Sequence, residues 1–373
     1  MKINQERLLS KFMELVKVDS ETTEEAEIAK LLKKQFSDLG LDVYEDDSAK
    51  ETGHGAGNLI CTLKGIKEAE AIYFTSHMDT VVPGKGIKPQ IVDDYIMTDG
   101  TTILGADDKA GLAALIEAIE TIKEQDIAHG DIQFVITVGE ESGLVGAKAL
   151  EKEKIYASYG YAVDSDGPVG DIVVAAPTQT KLKAVVKGKT AHAGVAPEKG
   201  VSAITIASKA IAKMPLGRID EETTANIGRF EGGQKTNIVC DYVEILAEAR
   251  SLDPQKMETQ VKAMRTAFEE AANELGGEVE INTTVMYPGY KQQAGEKVVE
   301  IARQAAKKIG RNSSLKQSGG GSDANVIAGF GIPTVNLAVG YEEIHTTGEK
   351  MPIEELNHIA ELILAIVEEA ANS

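Results

Sequence analysis

The sequence predicts an α/β protein: a three-layer αβα domain around a mostly parallel sheet, interrupted by an inserted domain of ferredoxin-like βαββαβ order. Short apolar runs alternate with helical periodicity in the first half of the chain, this grammar changes near Lys181, and it returns after Val285. Length agrees, since 373 residues exceed the roughly 250–300 at which a single hydrophobic core stops growing.

The elements follow in order. Asn4 to Val16 and Glu24 to Leu39 carry apolar residues at helical spacing, and Leu41 to Tyr44 and Asn58 to Leu63 read as strands. Ala71 to Ser76, Ile132 to Val138, Tyr159 to Val163 and Pro333 to Val339 are short continuous apolar runs, the pattern of strands buried on both faces of a sheet. Between the first two lies Asp107 to Gln125, whose Leu112, Leu115, Ile116, Ile119 and Ile122 share a helical face and complete a βαβ unit. From Lys181 to Val285 the order is strand (LKAVVK), helix (VSAITIASKAIAKM), two strands (ANIGRF and Asn237 to Ala249), helix (Pro254 to Leu275) and strand (EVEINTTV). Prolines at 177 and 288 mark the borders, so the inserted domain is expected at 179–286 and the enclosing one at 1–178 and 287–373. A helix from Gly295 to Ile309, the loop SGGGSD, the strand at Pro333 and a last helix from Ile353 resume the α/β grammar.

Composition narrows the function. The 59 acidic against 39 basic residues give a net charge of -20, which opposes binding of nucleic acid. Two cysteines far apart, Cys61 and Cys240, offer neither a disulfide framework nor a thiolate zinc site, and they suit a reducing cytoplasm. The charged amphipathic start, MKINQERLLSKFMELV, lacks the apolar core of a signal peptide, and no apolar run approaches the ~18 residues of a membrane span. A cytoplasmic protein with no membrane partner is expected.

Open α/β sheets bind ligands beyond the carboxyl ends of their strands. There the AIYFTS run leads into His77-Met78-Asp79, IQFVITV into Gly139-Glu140-Glu141, YGYAV into Asp164, and PTVNLAV through a short loop to His345. Asp107 stands at the head of the central helix pattern, where the helix dipole favours a carboxylate. A lone histidine or a Glu-Glu pair is usually an ordinary surface feature. Two of only six histidines gathered with four carboxylate positions at one sheet edge point instead to a metal site. Imidazole and carboxylate without thiolate suit zinc, cobalt or manganese, with zinc the first choice, and three ligand carboxylates against two divalent ions leave a nearly neutral site.

The segments His77-Met78-Asp79, DGTTILGADDKAG, GEESGLVGA, YAVDSDG, GKTAHAG, SGGGSDANV and IHTTGEK together resemble the dinuclear zinc exopeptidases and amidohydrolases that include aminoacylase, carboxypeptidase G and peptidase T. The resemblance spans nearly the whole chain, and DGTTILGADDKAG is most similar to the peptidase T branch. It implies that Asp107 bridges two metals, with His77 and Asp164 completing one and Glu141 and His345 the other. It also implies that Asp79 orients His77, that Glu140 is the general base for water activated between the metals, and that the Asp107–Asp108 peptide is cis. In the inserted domain it implies that His192 stabilises the oxyanion, within its own chain or across a homodimer formed through that domain, and that Arg250 binds a substrate carboxylate. Asn237, Gly320, Gly321 and Ser322 are candidates for further contacts to substrate. Asp at position 164 resembles the aminopeptidase members more than the deacylases. The expected activity is removal of N-terminal residues from short peptides, tripeptides above all; a deacylase or dipeptidase is the alternative on the same scaffold.

Overall fold

The computed structural model describes residues 2–373. It divides into two compact units: one runs up to Ala175 and includes Lys291–Ser318 and Ser322–Ser373, and the other comprises Ala176–Tyr290 with Gly319–Gly321.

The larger unit is built on a sheet whose strands lie in the order Asp42–Glu45, Leu59–Leu63, Ile132–Thr137, Ile72–His77, Tyr159–Ser165, Thr334–Ala338 and Asp171–Ala176. The four from Ile132–Thr137 to Thr334–Ala338 are mutually parallel, while the flanking pairings are antiparallel. All four are buried along their lengths except the end of Tyr159–Ser165, as their unalternating apolar sequences require. Helices Gln5–Leu15, Ala26–Asp38, Ala106–Glu124, Lys297–Lys308 and Ile353–Ala371 bury their apolar sides in one continuous core. A row of rings, Phe36, Phe134, Phe74 and Tyr161, crosses the sheet with centroids 6.2, 6.1 and 5.6 Å apart. Such pairs contribute about 0.5–1.5 kcal/mol each beyond their buried area. Among the described residues, no helix is long and apolar enough to cross a membrane.

The parallel register decides where the chemistry lies. His77 pairs with Thr137, and Ala338 with Ser165, so all four strands end at one edge and deliver their following loops together. The smaller strands Gln90–Val92, Tyr95–Met97 and Lys350–Pro352 form a separate sheet, and Asp171–Ala176 adds a strand to the main one. These were not apparent in the periodicity because they are short or alternate weakly.

In the other unit, strands Thr223–Gly232, Tyr242–Ser251, Thr178–Lys187 and Glu278–Tyr287 lie side by side, all antiparallel. Read from the last strand, the spatial order is fourth, first, third, second, the ferredoxin-like arrangement. Helices Ala203–Lys213 and Pro254–Leu275 pack on one face over Leu182, Val186, Val243 and Ile245, with Phe268 of the longer helix in the same core. Asp253 caps the longer helix through Gln255 and Lys256 N–H, with Pro254 in its first turn.

Two expectations are corrected. The strand expected from Asn237 to Ala249 begins only at Tyr242. Before it, Asn237 O accepts from Ala193 N and Val239 N donates to Ala191 O, so this backbone is committed to the His192 turn instead of the sheet. The central helix is not regular from Asp107, since Asp107 (φ -81, ψ 104) and Asp108 (φ -119, ψ 35) are non-helical. Asp107 is therefore presented by an irregular turn, and the Asp107–Asp108 peptide is cis.

Candidate metal centre

His77 is the last residue of its strand and is buried. Its Nδ1 lies 2.9 Å from the carbonyl oxygen of Asp79, which can only accept, so that nitrogen carries the proton. The lone pair is left on Nε2, which faces Asp107 Oδ1 at 3.0 Å and Asp164 Oδ1 at 3.6 Å. On the other side of the same carboxylate, His345 Nε2 is 3.2 Å from Asp107 Oδ2 and 2.9 Å from Glu141 Oε1. Each oxygen of Asp107 thus meets the Nε2 of a different imidazole, and each Nε2 meets one further carboxylate. His345 reaches this position from a backbone with φ 60, the left-handed region that non-glycine residues rarely occupy. Ligand atoms of His77, Asp107 and Glu141 lie within 4.8 Å of one another.

Asp79 does more than stand behind His77. Its carboxylate is 3.4 Å from His77 Nδ1, the closer contact being its own carbonyl. Its two oxygens accept from Glu140 N at 3.0 Å and Glu141 N at 3.2 Å, so one buried carboxylate ties the histidine strand to the glutamate turn. That turn starts at Gly139, φ 57, where a Cβ would lie 2.4 Å from His54 Nε2. His54 Nε2 is also 3.1 Å from Ser142 Oγ, and Ser142 Oγ donates to Gly139 O at 3.0 Å. His54, an unremarked histidine in the sequence, therefore packs against the turn that carries Glu140 and Glu141.

The electrostatics are those of crowded acids awaiting positive charge. Burial and the neighbouring Asp164 push the Glu140 carboxyl well above the ordinary range, with Asp323 and Glu141 adding to it. Burial likewise raises Asp164 to about 7 against the pull of His77, and raises Asp108 well up with help from Asp164. Asp107 goes the other way: burial would raise it, but His345 and His77 hold it well below the usual carboxylate range. Asp107 and Glu141 push His345 up to about 10. Burial would lower His77, yet Asp107, Asp164 and Asp79 keep it well above its ordinary value. Two imidazole Nε2 atoms set against the two oxygens of one carboxylate, in a pocket with an excess of acid, form a donor set that fits divalent cations, which would displace the imidazole protons.

Several participants escaped the sequence reading. Asn336 clamps Asp164, accepting from its N–H at 3.0 Å and donating to its carbonyl at 2.7 Å, and its Nδ2 also donates to Ser322 Oγ at 3.2 Å. Tyr341 OH donates to Asp164 Oδ1 at 3.4 Å. Glu349 is buried, and its carboxylate accepts from Leu104, Gly105 and Asp107 N–H. Burial raises it to about 7, although those bonds pull it down. Glu349 lies inside the IHTTGEK segment, but a loop glutamate four residues beyond a histidine carries no pattern that announces such a task.

The other candidates are occupied in various ways. Ser322 N donates to Asn325 Oδ1 at the start of helix Asp323–Gly329, so its backbone serves that helix. In the inserted unit, His192 is exposed and its Nδ1 accepts from Gly194 N at 3.1 Å, which leaves the proton of the neutral ring on Nε2. Arg250 donates to Glu248 Oε1 at 3.0 Å and to Gly319 O at 3.2 Å. Asn237 supplies its carbonyl to the His192 turn. Gly320 is part of the segment Gly319–Gly321 that joins this unit, and a Cβ on Gly321 would lie 2.3 Å from the Tyr287 ring.

This geometry agrees with the comparison to known proteins: residues 73–369 match the model of peptidase family M20/M25/M40. The chain belongs to that family. Membership makes it an enzyme, a metal-dependent exopeptidase. It is 71% identical to an aminopeptidase PepT from Bacillus cereus, whose crystal structure superimposes with a TM-score of 0.96 over 99% of each chain. A tripeptidase from Staphylococcus aureus is 55% identical, with a TM-score of 0.97 over 100% of both chains. Peptidase T of Fusobacterium nucleatum is 29% identical over 384 residues, covering 93% of this chain and 91% of that protein.

Proposed function

We propose that this M20/M25/M40-family enzyme is a two-metal aminopeptidase of the tripeptidase type, which releases N-terminal residues from short peptides. The observation that carries the reading is Asp107, with His77 Nε2 on one carboxylate oxygen and His345 Nε2 on the other. His77, Asp107 and Asp164 would hold one divalent ion, and Asp107, Glu141 and His345 the second, with zinc the first choice. Such ions, when bound, supply Lewis acidity that lowers the pKa of water and polarises an amide carbonyl.

The chain's own groups carry the protons and positions. Glu140 is the general base: its backbone is held by Asp79, its carboxylate is pushed up in pKa by burial, and no metal-ligand role occupies it. It takes a proton from the attacking water and returns it to the departing amine. Asp79 keeps both Glu140 and His77 in place. His192, protonated on Nε2, is assigned to the developing oxyanion, and Arg250 to the carboxylate terminus of the peptide. Asn237, Gly320, Gly321 and Ser322 are assigned to the substrate's backbone. Assembly as a homodimer through the inserted unit and a cytoplasmic location belong to the same proposal.

The names of the similar proteins support this reading over a deacylase or dipeptidase. The test is hydrolysis of tripeptides, dipeptides and N-acyl amino acids by metal-loaded protein, with elemental analysis of the same sample. Tripeptides cleaved fastest from the N-terminus are expected; cleavage confined to N-acyl amino acids would overturn the assignment.

A further inference from the structure

We infer that Glu349 is the positioning residue for the two-metal centre, holding the bridging Asp107 and the His345 loop in one register. The inference rests on the two-metal reading above and deepens it.

Asp107 sits in an irregular turn between Gly105 and the regular part of helix Ala106–Glu124. A helix start leaves several N–H groups without intrahelical partners, and Gly105, the N-cap, has no side chain to satisfy them. Glu349 meets that need from 242 residues away. Its Oε2 accepts from Leu104 N at 2.8 Å and Gly105 N at 2.7 Å, and its Oε1 accepts from Asp107 N at 3.0 Å. The side chain is only 2% exposed, so water does not offer these amides an alternative.

The same residue is fixed at its other end. It follows His345 by four positions, and the next residues, Lys350–Pro352, pair with Tyr95–Met97. Glu342 and Lys350 exchange backbone bonds, N→O 2.9 Å and N→O 3.1 Å, which close the loop that carries His345. Glu349 therefore joins two ligand-bearing segments: the amide of Asp107 is gripped on one side while its carboxylate faces His77 and His345 on the other. Because Asp107 faces both ring nitrogens, a loosened Asp107 weakens both ion sites together. Loss of His345 itself weakens one.

The test is zinc titration of Glu349→Gln by calorimetry, beside wild type and His345→Ala, with circular dichroism and a thermal melt on each. Gln keeps the shape, but its NH2 group opposes at least one of the three N–H donors. The variant should fold, bind both zinc ions about 10–100-fold more weakly, the usual cost of disturbing a residue behind a metal ligand, and lose kcat with little change in KM. Glu349→Asp, which keeps the charge but is one methylene shorter, should show the same pattern to a smaller degree. Wild-type affinity at both sites in a folded Glu349→Gln protein would overturn the inference. If neither variant folds, hydrogen exchange on the wild-type chain decides: slower exchange at residues 104–107 on zinc loading supports the coupling, and equal exchange refutes it. Wild-type protein that binds fewer than two zinc ions would instead sink the two-metal reading.

Discussion

The candidate residues of the two units differ in kind. In the larger unit His77, Asp79, Asp107, Glu141 and Asp164 are buried or nearly so, and each has an atom 3.0–3.6 Å from another residue of the set. In the inserted unit His192 and Asn237 are exposed, Gly320 is half-buried, and Arg250 is engaged with Glu248 and Gly319. Most of the first group stands at the ends of parallel strands, whose register permits few alternatives, and Asp107 at the head of the central helix. The second group is held by turns and local hydrogen bonds, apart from Arg250, which lies in an antiparallel strand. Residues of the first kind should control whether the reaction occurs at all, and residues of the second kind how well a given peptide is used.

The largest expected effect tests that contrast directly. Glu140→Ala should lower turnover by about 10²–10⁴-fold, the usual contribution of a general base, while elemental analysis still finds wild-type metal. Retained turnover would remove Glu140 from the role. His345→Ala should drop the metal content by one ion per chain and abolish activity at ordinary metal concentrations; an unchanged stoichiometry would contradict the assigned ligand set. His192→Ala should cost about 10²–10³-fold in kcat without altering metal content, the scale of a lost oxyanion donor. If only KM moves, His192 belongs to binding and not to the transition state. Arg250→Ala should act mainly on KM, about tenfold for peptides with a free carboxylate and not at all for C-terminal amides, corresponding to roughly 1.4 kcal/mol. The smallest effect is structural: Gly321→Ala forces a methyl group against Tyr287 and should cost about 1–3 kcal/mol of stability, read as a lower thermal midpoint.

Much of the metal centre was legible because strand-end positions in a parallel sheet are predictable from apolar runs. Once Ala71 to Ser76, Ile132 to Val138 and Tyr159 to Val163 are read as neighbouring parallel strands, His77, Glu140-Glu141 and Asp164 fall on one edge by geometry alone. His345 was reached less directly, through a loop whose left-handed backbone has no sequence signature beyond the motif. The stretch from Asn237 to Asp241 misled because its residues suit a strand, and only the competing hydrogen bonds of the His192 turn divert it. His54, Asn336, Tyr341 and Glu349 were illegible for a common reason. Each acts on a partner 88 to 245 positions away, a separation over which sequence periodicity carries no information.

By itself the sequence determined the α/β class, the inserted ferredoxin-like order, and the gathering of histidine and carboxylate at one sheet edge. These follow from local hydrophobic periods and from the fixed direction of parallel strands. Only the tertiary structure decided that Asp107 is offered by an irregular turn, with one imidazole on each oxygen, and that Glu349 supplies the missing cap from the far end of the chain. Backbone N–H groups at a buried turn must find acceptors, but which acceptor arrives is set by the packing of distant segments.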